Sequence, residues 1–93
     1  MSLRRLDSPH DRRLYAVAFG RVLEELRLLN KLSKEEAAER VGVTGRTWAR
    51  YERGSKVPYM EEILYYAVKF NVKAIWIFEK VLEYKEEEAL KQG

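Results

Sequence analysis

The 93-residue chain contains no cysteine and only one histidine, His10. The missing cysteines exclude a disulfide framework, a thiolate nucleophile and a cysteine zinc site, and one histidine cannot complete a histidine-rich metal cluster. No apolar run approaches the roughly 20 residues of a membrane span, and residues 1–10 lack the apolar centre of a signal peptide. We therefore expect a cytoplasmic protein with no metal, no cofactor and no contact with a membrane.

Proline and glycine are also scarce. Two prolines and five isolated glycines leave the chain without a linker, repeat or low-complexity segment. Hydrophobic residues make up 46% and charged residues 35% of the sequence, which is the balance of one soluble globular domain. Apolar residues recur at helical spacings of three and four, so we predict an all-α unit of five helices. A core this small would gain from a second copy of the chain.

Chemistry-bearing clusters are missing as well. An enzyme needs a nucleophile with a base, a metal set or a convergent carboxylate pair, and the sequence offers none of these. The glutamates at positions 86–88 are consecutive on a predicted helix, so they should fan out as a solvated face. We predict that the protein is not an enzyme.

Positive charge is concentrated toward the front of the chain. Residues 1–60 hold 13 Lys and Arg against 8 Asp and Glu, whereas residues 61–93 hold 5 against 7. All ten arginines lie at or before Arg53. Arginine presents a planar fork of donors that suits phosphates and guanine edges, so the front two thirds are predicted to bind a polyanion.

Capping residues divide the chain into helices. Ser8 should cap the first, with Pro9 in its first turn and Asp11 reaching back. This helix should end near Asn30, a residue able to adopt the left-handed conformation, unless Gly20 marks where an extension joins the helix proper.

A capping box at Ser33 and Glu36 begins a short second helix that should end at Gly42. Thr44 should cap a third helix that Gly54 ends. Pro58 should open the fourth helix, which carries more apolar residues than a one-sided core helix needs. A fifth is predicted from Lys73 to about Lys91, with Ile75, Phe78 and Leu82 on one face.

The second and third predicted helices are joined by a tight turn of three or four residues, which is the layout of a helix-turn-helix. Trp48 and Tyr51 should face the core, so Arg46, Thr47 and Arg50 should face outward. A recognition helix fits the major groove of DNA when its first turn projects in this way. The pattern favours a DNA reader.

The segment from Phe19 to Phe78 resembles the Cro and lambda-repressor type of helix-turn-helix family, also called xenobiotic-response-element type. The resemblance rests on an arginine ending the first helix, on Leu-Ser-x-Glu-Glu-x-Ala from Leu32, on Gly-Val-Thr from Gly42, and on Glu-x-Gly followed by Pro58. It implies a lambda-repressor-like DNA-binding domain, an XRE-family repressor and a role in transcription regulation.

The resemblance also implies roles for single residues. Base readout would fall to Gly45, Arg46 and Arg50. Phosphate contacts would fall to Lys34, Thr44, Thr47, Arg53 and Lys56. An ion pair between Arg27 and Glu52 would tie the recognition helix to the core.

Four residues depart from the family pattern. Lys34 replaces the usual glutamine, and Gly45 removes a side chain that often touches bases. Ala37 stands for the usual leucine and Trp48 for isoleucine or valine, so we expect the indole to fill the space left by the small alanine. The alternative, in which Trp48 stacks on a base, is the less favoured one.

The chain is predicted to divide into residues 1–13, a basic arm or helix extension containing Arg12 and Arg13; residues 14–72, the helix-turn-helix domain with its motif at about 33–53; and residues 73–93, a C-terminal helix. That helix should either fold back on its own chain or meet its copy in a homodimer. The packing or dimer surface would consist of Leu64, Tyr65, Val68, Ile75, Trp76, Phe78, Val81 and Leu82.

Two other functions remain open at this point. The same fold serves as a protein-interaction module, as in an antitoxin that binds a toxin through its helices, and the apolar surplus of the last two helices fits that reading. An architectural protein that binds double-stranded DNA by charge alone would show a steep salt dependence and no sequence preference.

Overall fold

The chain folds into five α-helices in a computed structural model that describes residues 9–92. The helices are α1 (Pro9–Leu29), α2 (Lys34–Val41), α3 (Gly45–Arg53), α4 (Met60–Lys69) and α5 (Ala74–Gln92). The described residues contain no strand. The predicted all-α, five-helix fold is confirmed, although the expected capping residue Ser8 lies outside the described residues.

Helix α1 is the central element, because α3 and α5 both pack against it. Its apolar stripe of Leu14, Ala18, Val22, Leu23 and Leu26 is buried. Arg12 and Arg13 belong to this helix and are exposed, whereas residues 1–8 of the predicted basic arm or helix extension lie outside the described residues.

Helix α1 ends at Leu29, as predicted, but a different residue adopts the left-handed conformation. The left-handed residue is Lys31, with φ of 57°, and not Asn30. The Asn30 side chain instead donates to the carbonyl of Leu26 at 2.7 Å and accepts from Arg40 at 3.1 Å. Asn30 therefore closes the last turn of the helix with its side chain and leaves the left-handed turn to its neighbour.

Helix α4 begins two residues later than expected. Its first residue is Met60, so Pro58 is not the opening residue but lies buried in the connection before it. The backbone N–H of Tyr59 donates to the Glu62 carboxylate at 2.8 Å, which supplies the start signal. Met60 is 58% exposed, whereas the buried residues of this segment are Ile63, Tyr66, Ala67 and Phe70.

Helix α5 buries a face that the spacing of Ile75, Phe78 and Leu82 did not indicate. Ile75 and Leu82 are each 58% exposed, while Ile77 and Val81 are buried against the core. Val81 therefore cannot form part of a free surface. Helix α5 folds back on α1 and α4 of its own chain, which is one of the two arrangements that the sequence left open.

Candidate nucleic-acid interface

Local hydrogen bonds define the turn between α2 and α3. Ser33 Oγ accepts from the backbone N–H of Glu36 at 3.0 Å, and the Glu36 carboxylate accepts from the N–H of Ser33 at 2.8 Å. Gly42 ends α2 in the left-handed conformation, with φ of 80°. Thr44 then caps α3 by accepting from the N–H of Thr47 at 3.1 Å. The predicted helix-turn-helix layout is present.

Helix α3 has one buried and one exposed face. The side chains of Trp48 and Tyr51 are 0% and 2% exposed. Arg46 and Arg50 are exposed, and no acidic residue lies in the first turn of the helix. The outward face of α3 is therefore cationic, as the pattern predicted.

Trp48 belongs to the core. The centroid of its ring lies 6.3 Å from the ring centroid of Tyr66 and 5.9 Å from that of Phe70. Ala37 is buried in the same cluster. This burial fits the expected exchange of volume between Ala37 and Trp48. It also removes the alternative in which the indole stacks on a base.

A buried carboxylate joins α1 to α3. Arg27 Nε donates to Glu52 Oε2 at 2.6 Å and a second guanidinium nitrogen of Arg27 donates to Oε1 at 3.1 Å, so the expected ion pair is present. The Trp48 indole N–H donates to the same carboxylate. The Glu52 side chain is 6% exposed, and its hydrogen bonds raise the pKa of Arg27 against the opposing effect of burial. This network fixes the angle at which α3 leaves the core.

Gly20 lies at a close approach of the same two helices. A Cβ atom there would lie 2.5 Å from the carbonyl oxygen of Glu52 and 2.6 Å from that of Tyr51. No side chain fits at this crossing. The glycine thus serves the docking of α3 and does not mark a junction with an extension, since α1 runs through it without interruption.

Residues expected to contact phosphate lie around the ends of α2 and α3. Lys34 is the exposed first residue of α2, and Arg53 and Lys56 are exposed where α3 ends. The Thr44 hydroxyl donates to the Thr47 hydroxyl at 3.1 Å, so the O–H of Thr47 remains for an external acceptor.

The structure adds Glu35 to this region, a residue that the sequence did not single out. A Cβ at Gly45 would lie 3.3 Å from Glu35 Cγ and 3.4 Å from its carboxylate oxygen Oε2. An acidic side chain therefore covers the first residue of the candidate recognition helix. The sequence feature that could have identified Glu35 is its place in the first turn of the predicted second helix, immediately after Lys34.

Comparison with known proteins agrees with this geometry. The family model described as "Helix-turn-helix domain" matches residues 18–73, which is more than half of the chain. The chain belongs to the helix-turn-helix family. No curated protein matches its sequence.

A solved structure shares the fold of this helix-turn-helix protein. The crystal structure of the clp gene regulator ClgR from Corynebacterium glutamicum superposes with a TM-score of 0.76, covering 84% of this chain and 83% of that one. The two sequences are 18% identical, so the likeness concerns the fold.

Outside the family match, α5 is held to α1 by polar contacts. Arg21 pairs with Glu87 at 3.0 Å and with Glu88 at 3.1 Å, and its guanidinium lies 4.0 Å from the ring centroid of Tyr84. The Tyr84 hydroxyl donates to Glu25. Glu87 and Glu88 are thus partners of Arg21, which corrects the prediction that residues 86–88 form only a solvated face.

The predicted packing or dimer surface of the helix-turn-helix protein is split. Trp76 and Phe78 are partly buried against the core, and Val81 is fully buried. The remaining residues are 47–74% exposed: Leu64, Tyr65, Val68, Ile75 and Leu82. These five residues are called below the exposed apolar set of α4 and α5, although Met60 and Leu90 on the same helices are exposed as well.

Residues 9–92 contain neither a membrane-spanning helix nor a candidate metal cluster. No helix in this range combines the length and hydropathy needed to cross a membrane. Within the same range no group of three or more His, Cys, Asp or Glu side chains is arranged to hold a metal ion.

Proposed function

We propose that the protein is a sequence-specific, double-stranded DNA-binding transcriptional regulator, and that it acts as a dimeric repressor on an inverted-repeat operator. The single observation that carries the proposal is the exposed pair Arg46 and Arg50 on α3, opposite the buried Trp48 and Tyr51. A helix that is anchored on one face and cationic on the other is suited to the major groove.

Arg46 and Arg50 are the proposed base readers. They are four residues apart, so their side chains leave the same face of α3 one turn apart. Each guanidinium can donate two hydrogen bonds to O6 and N7 of a guanine, which discriminates against other bases by about 1–3 kcal/mol. Gly45 was expected to share in base readout, but it has no side chain and the Glu35 side chain lies beside it, so the proposed readout rests mainly on Arg46 and Arg50.

Phosphate contacts are proposed for Lys34, the Thr44–Thr47 hydroxyl pair, Arg53 and Lys56. Lys34 begins α2 and the other groups lie at the two ends of α3, and all are cations or hydroxyl groups. Such contacts fix the register of the recognition helix without reading sequence. The Arg27–Glu52 pair keeps α3 in place but is mostly buried, so its proposed role is structural.

A twofold dimer formed through the exposed apolar set of α4 and α5 would complete the proposed DNA-binding unit. Val68 is 74% exposed and Ile75 is 58% exposed, so the set offers apolar area that a second copy can cover. A dimer would present two copies of α3 about 34 Å apart, one turn of DNA, to an inverted repeat. Occupying such an operator would block polymerase or a neighbouring activator.

The first test is selection of bound duplexes from a random library at about 0.15 M salt, followed by sequencing. We expect enrichment of an inverted repeat with guanines in each half-site. Binding without enrichment would favour the architectural function, in which charge alone holds the duplex. The absence of any binding would contradict the proposal.

Single-residue variants then distinguish residues that read bases from residues that contact phosphates. Arg46→Ala or Arg50→Ala should lose affinity for the selected site while keeping affinity for unrelated duplexes. Lys34→Ala or Lys56→Ala should weaken both kinds of duplex alike. Competition binding assays measure the ratio of the two affinities, and equal losses for all four variants would refute direct readout.

A second candidate function is a protein-interaction module, for example one that binds a toxin. The exposed apolar set of α4 and α5 is the observation in its favour. Sedimentation equilibrium distinguishes the two. A homodimer that leaves these residues inaccessible to solvent supports the repressor, whereas a monomer that exposes them supports a different protein partner.

A further inference from the structure

A cleft of about 440 Å³ lies between the start of α1 and the loop that follows α3. Arg12 and Arg13 line it from α1, and Ser55 and Lys56 line it from the loop. These two segments are more than 40 residues apart in the sequence, so only the fold brings them together. Arg12 and Arg13 also precede the residues that the family model matches.

The cleft is positioned by a close contact beneath it. Gly54 adopts the left-handed conformation with φ of 77°, and a Cβ there would lie 3.2 Å from Cα and N of Val17. The loop after α3 therefore rests directly on the backbone of α1. This contact holds Lys56 across from Arg12 and Arg13.

The chemistry of the cleft favours an anion. Among the residues that the structure describes, every charged side chain lining the cleft is cationic: Arg12, Arg13 and Lys56. Asp11, the nearest carboxylate in sequence, is directed to Lys85 at 3.9 Å on α5 and is not part of the lining. Guanidinium groups donate paired hydrogen bonds to phosphate oxygens, and the Ser55 hydroxyl adds a neutral donor.

We propose that this cleft binds the phosphodiester backbone of duplex DNA on the flank of the site read by α3. The inference rests on the proposed function, and it extends the phosphate contact expected at Lys56 to a second segment of the chain. Arg12 and Arg13 would each neutralise one phosphate. Their contribution would be independent of base sequence and sensitive to salt.

The test measures how affinity for the selected duplex falls between 50 and 200 mM salt, by fluorescence anisotropy, for the full chain and for Arg12→Gln/Arg13→Gln. Each phosphate contact contributes about 0.9 to the slope of log affinity against log salt, so the slope should fall by about 1.8. The advantage of the wild type should then shrink roughly 12-fold across this range.

A matched control removes the same charge from α5. The control is Lys80→Gln/Lys91→Gln. Lys80 pairs with Glu83 and Lys91 pairs with Glu88, each three residues away on α5. The salt slope of this control should stay within about 0.5 of the wild-type value, since neither lysine lies at the cleft. Thermal unfolding checks that both double variants are folded.

The outcomes are distinct. If Arg12→Gln/Arg13→Gln keeps the wild-type salt slope, the proposal that the cleft binds DNA is overturned, while the proposed function of the protein is unaffected. An equal change in the control also overturns the proposal for the cleft, because net charge alone would then explain the effect. A wild-type protein that binds no duplex overturns both proposals. Ethylation of flanking phosphates that impairs the wild type but not Arg12→Gln/Arg13→Gln supports the cleft directly.

Discussion

Replacing Gly20 with alanine tests how closely α1 and α3 must approach. The new Cβ would lie 2.5 Å from one carbonyl oxygen and 2.6 Å from another, both in the backbone of α3. Neither atom can rotate away, so the two helices must separate. Overpacking of this kind costs about 1–3 kcal/mol, and the gain in helix propensity from Gly to Ala returns only about 0.5–1 kcal/mol.

After the gain in helix propensity is subtracted, we expect Gly20→Ala to lower the free energy of unfolding by about 1 kcal/mol, which corresponds to a fall in Tm of roughly 4–8 °C for a domain of this size. Urea unfolding followed by circular dichroism measures the change. Gly45→Ala is the matched control. Its Cβ would meet the exposed, flexible side chain of Glu35 at 3.3 Å, so stability should change by less than about 0.5 kcal/mol. Wild-type or higher stability in Gly20→Ala would refute the argument.

Three further predictions concern polar groups. Glu52→Ala should cost about 3 kcal/mol in thermal unfolding, because Arg27 would lose its partner in a mostly buried site; a loss below about 1 kcal/mol would contradict this. Arg21→Met should cost at most about 1 kcal/mol, and the difference should vanish in 1 M salt, since the pair with Glu88 is partly exposed. Burial raises the pKa of Tyr66 above the usual value of about 10. The unfolded chain therefore loses the Tyr66 proton at a lower pH than the folded chain does, so the free energy of unfolding is unaffected below about pH 10 and falls as pH rises above it. Tyr66→Phe should flatten the fall in stability between pH 9 and about pH 11, measured by urea unfolding, and an unchanged fall would count against this assignment.

The helix-turn-helix motif was predictable because its signals are local. Ser33 and Thr44 each cap a helix through a bond to a backbone group three residues away. Gly42 and Gly54 supply the left-handed residues at the helix ends. Interactions of this range depend on residue type and spacing alone, so one sequence contains the information needed to predict them.

The face of α5 was not predictable in the same way. Its residues 75–78 are all apolar, and two more follow at positions 81 and 82, so the period alone does not select one face. Burial of Ile77 instead of Ile75 depends on where α5 meets α1, which is a contact between distant segments. The pairing of Arg21 with Glu88, 67 residues apart, has the same origin.

The basic cleft could not be predicted for the same reason, because it depends on contacts between distant segments of the chain. The residues on α3 were assigned from their spacing on one helix, whereas Glu35 beside Gly45 and Arg12 across from Lys56 are brought together by packing. The sequence suggested that Arg12 and Arg13 belong to a basic arm that reaches the minor groove or backbone of DNA, but it could not place them opposite Lys56.

The dependence of α1 on α5 sets an order of events during synthesis. The contacts that cover α1 on this side come from residues about 60–67 positions later, such as Tyr84 with Glu25 and Glu88 with Arg21. At roughly 5–20 residues per second, a ribosome needs about 3–13 s to make that stretch. During this interval α2 and α3 can already dock on α1, while the side of α1 that receives α5 stays open. The nascent domain is therefore exposed to chaperones and to misassociation on this side until its last helix has emerged.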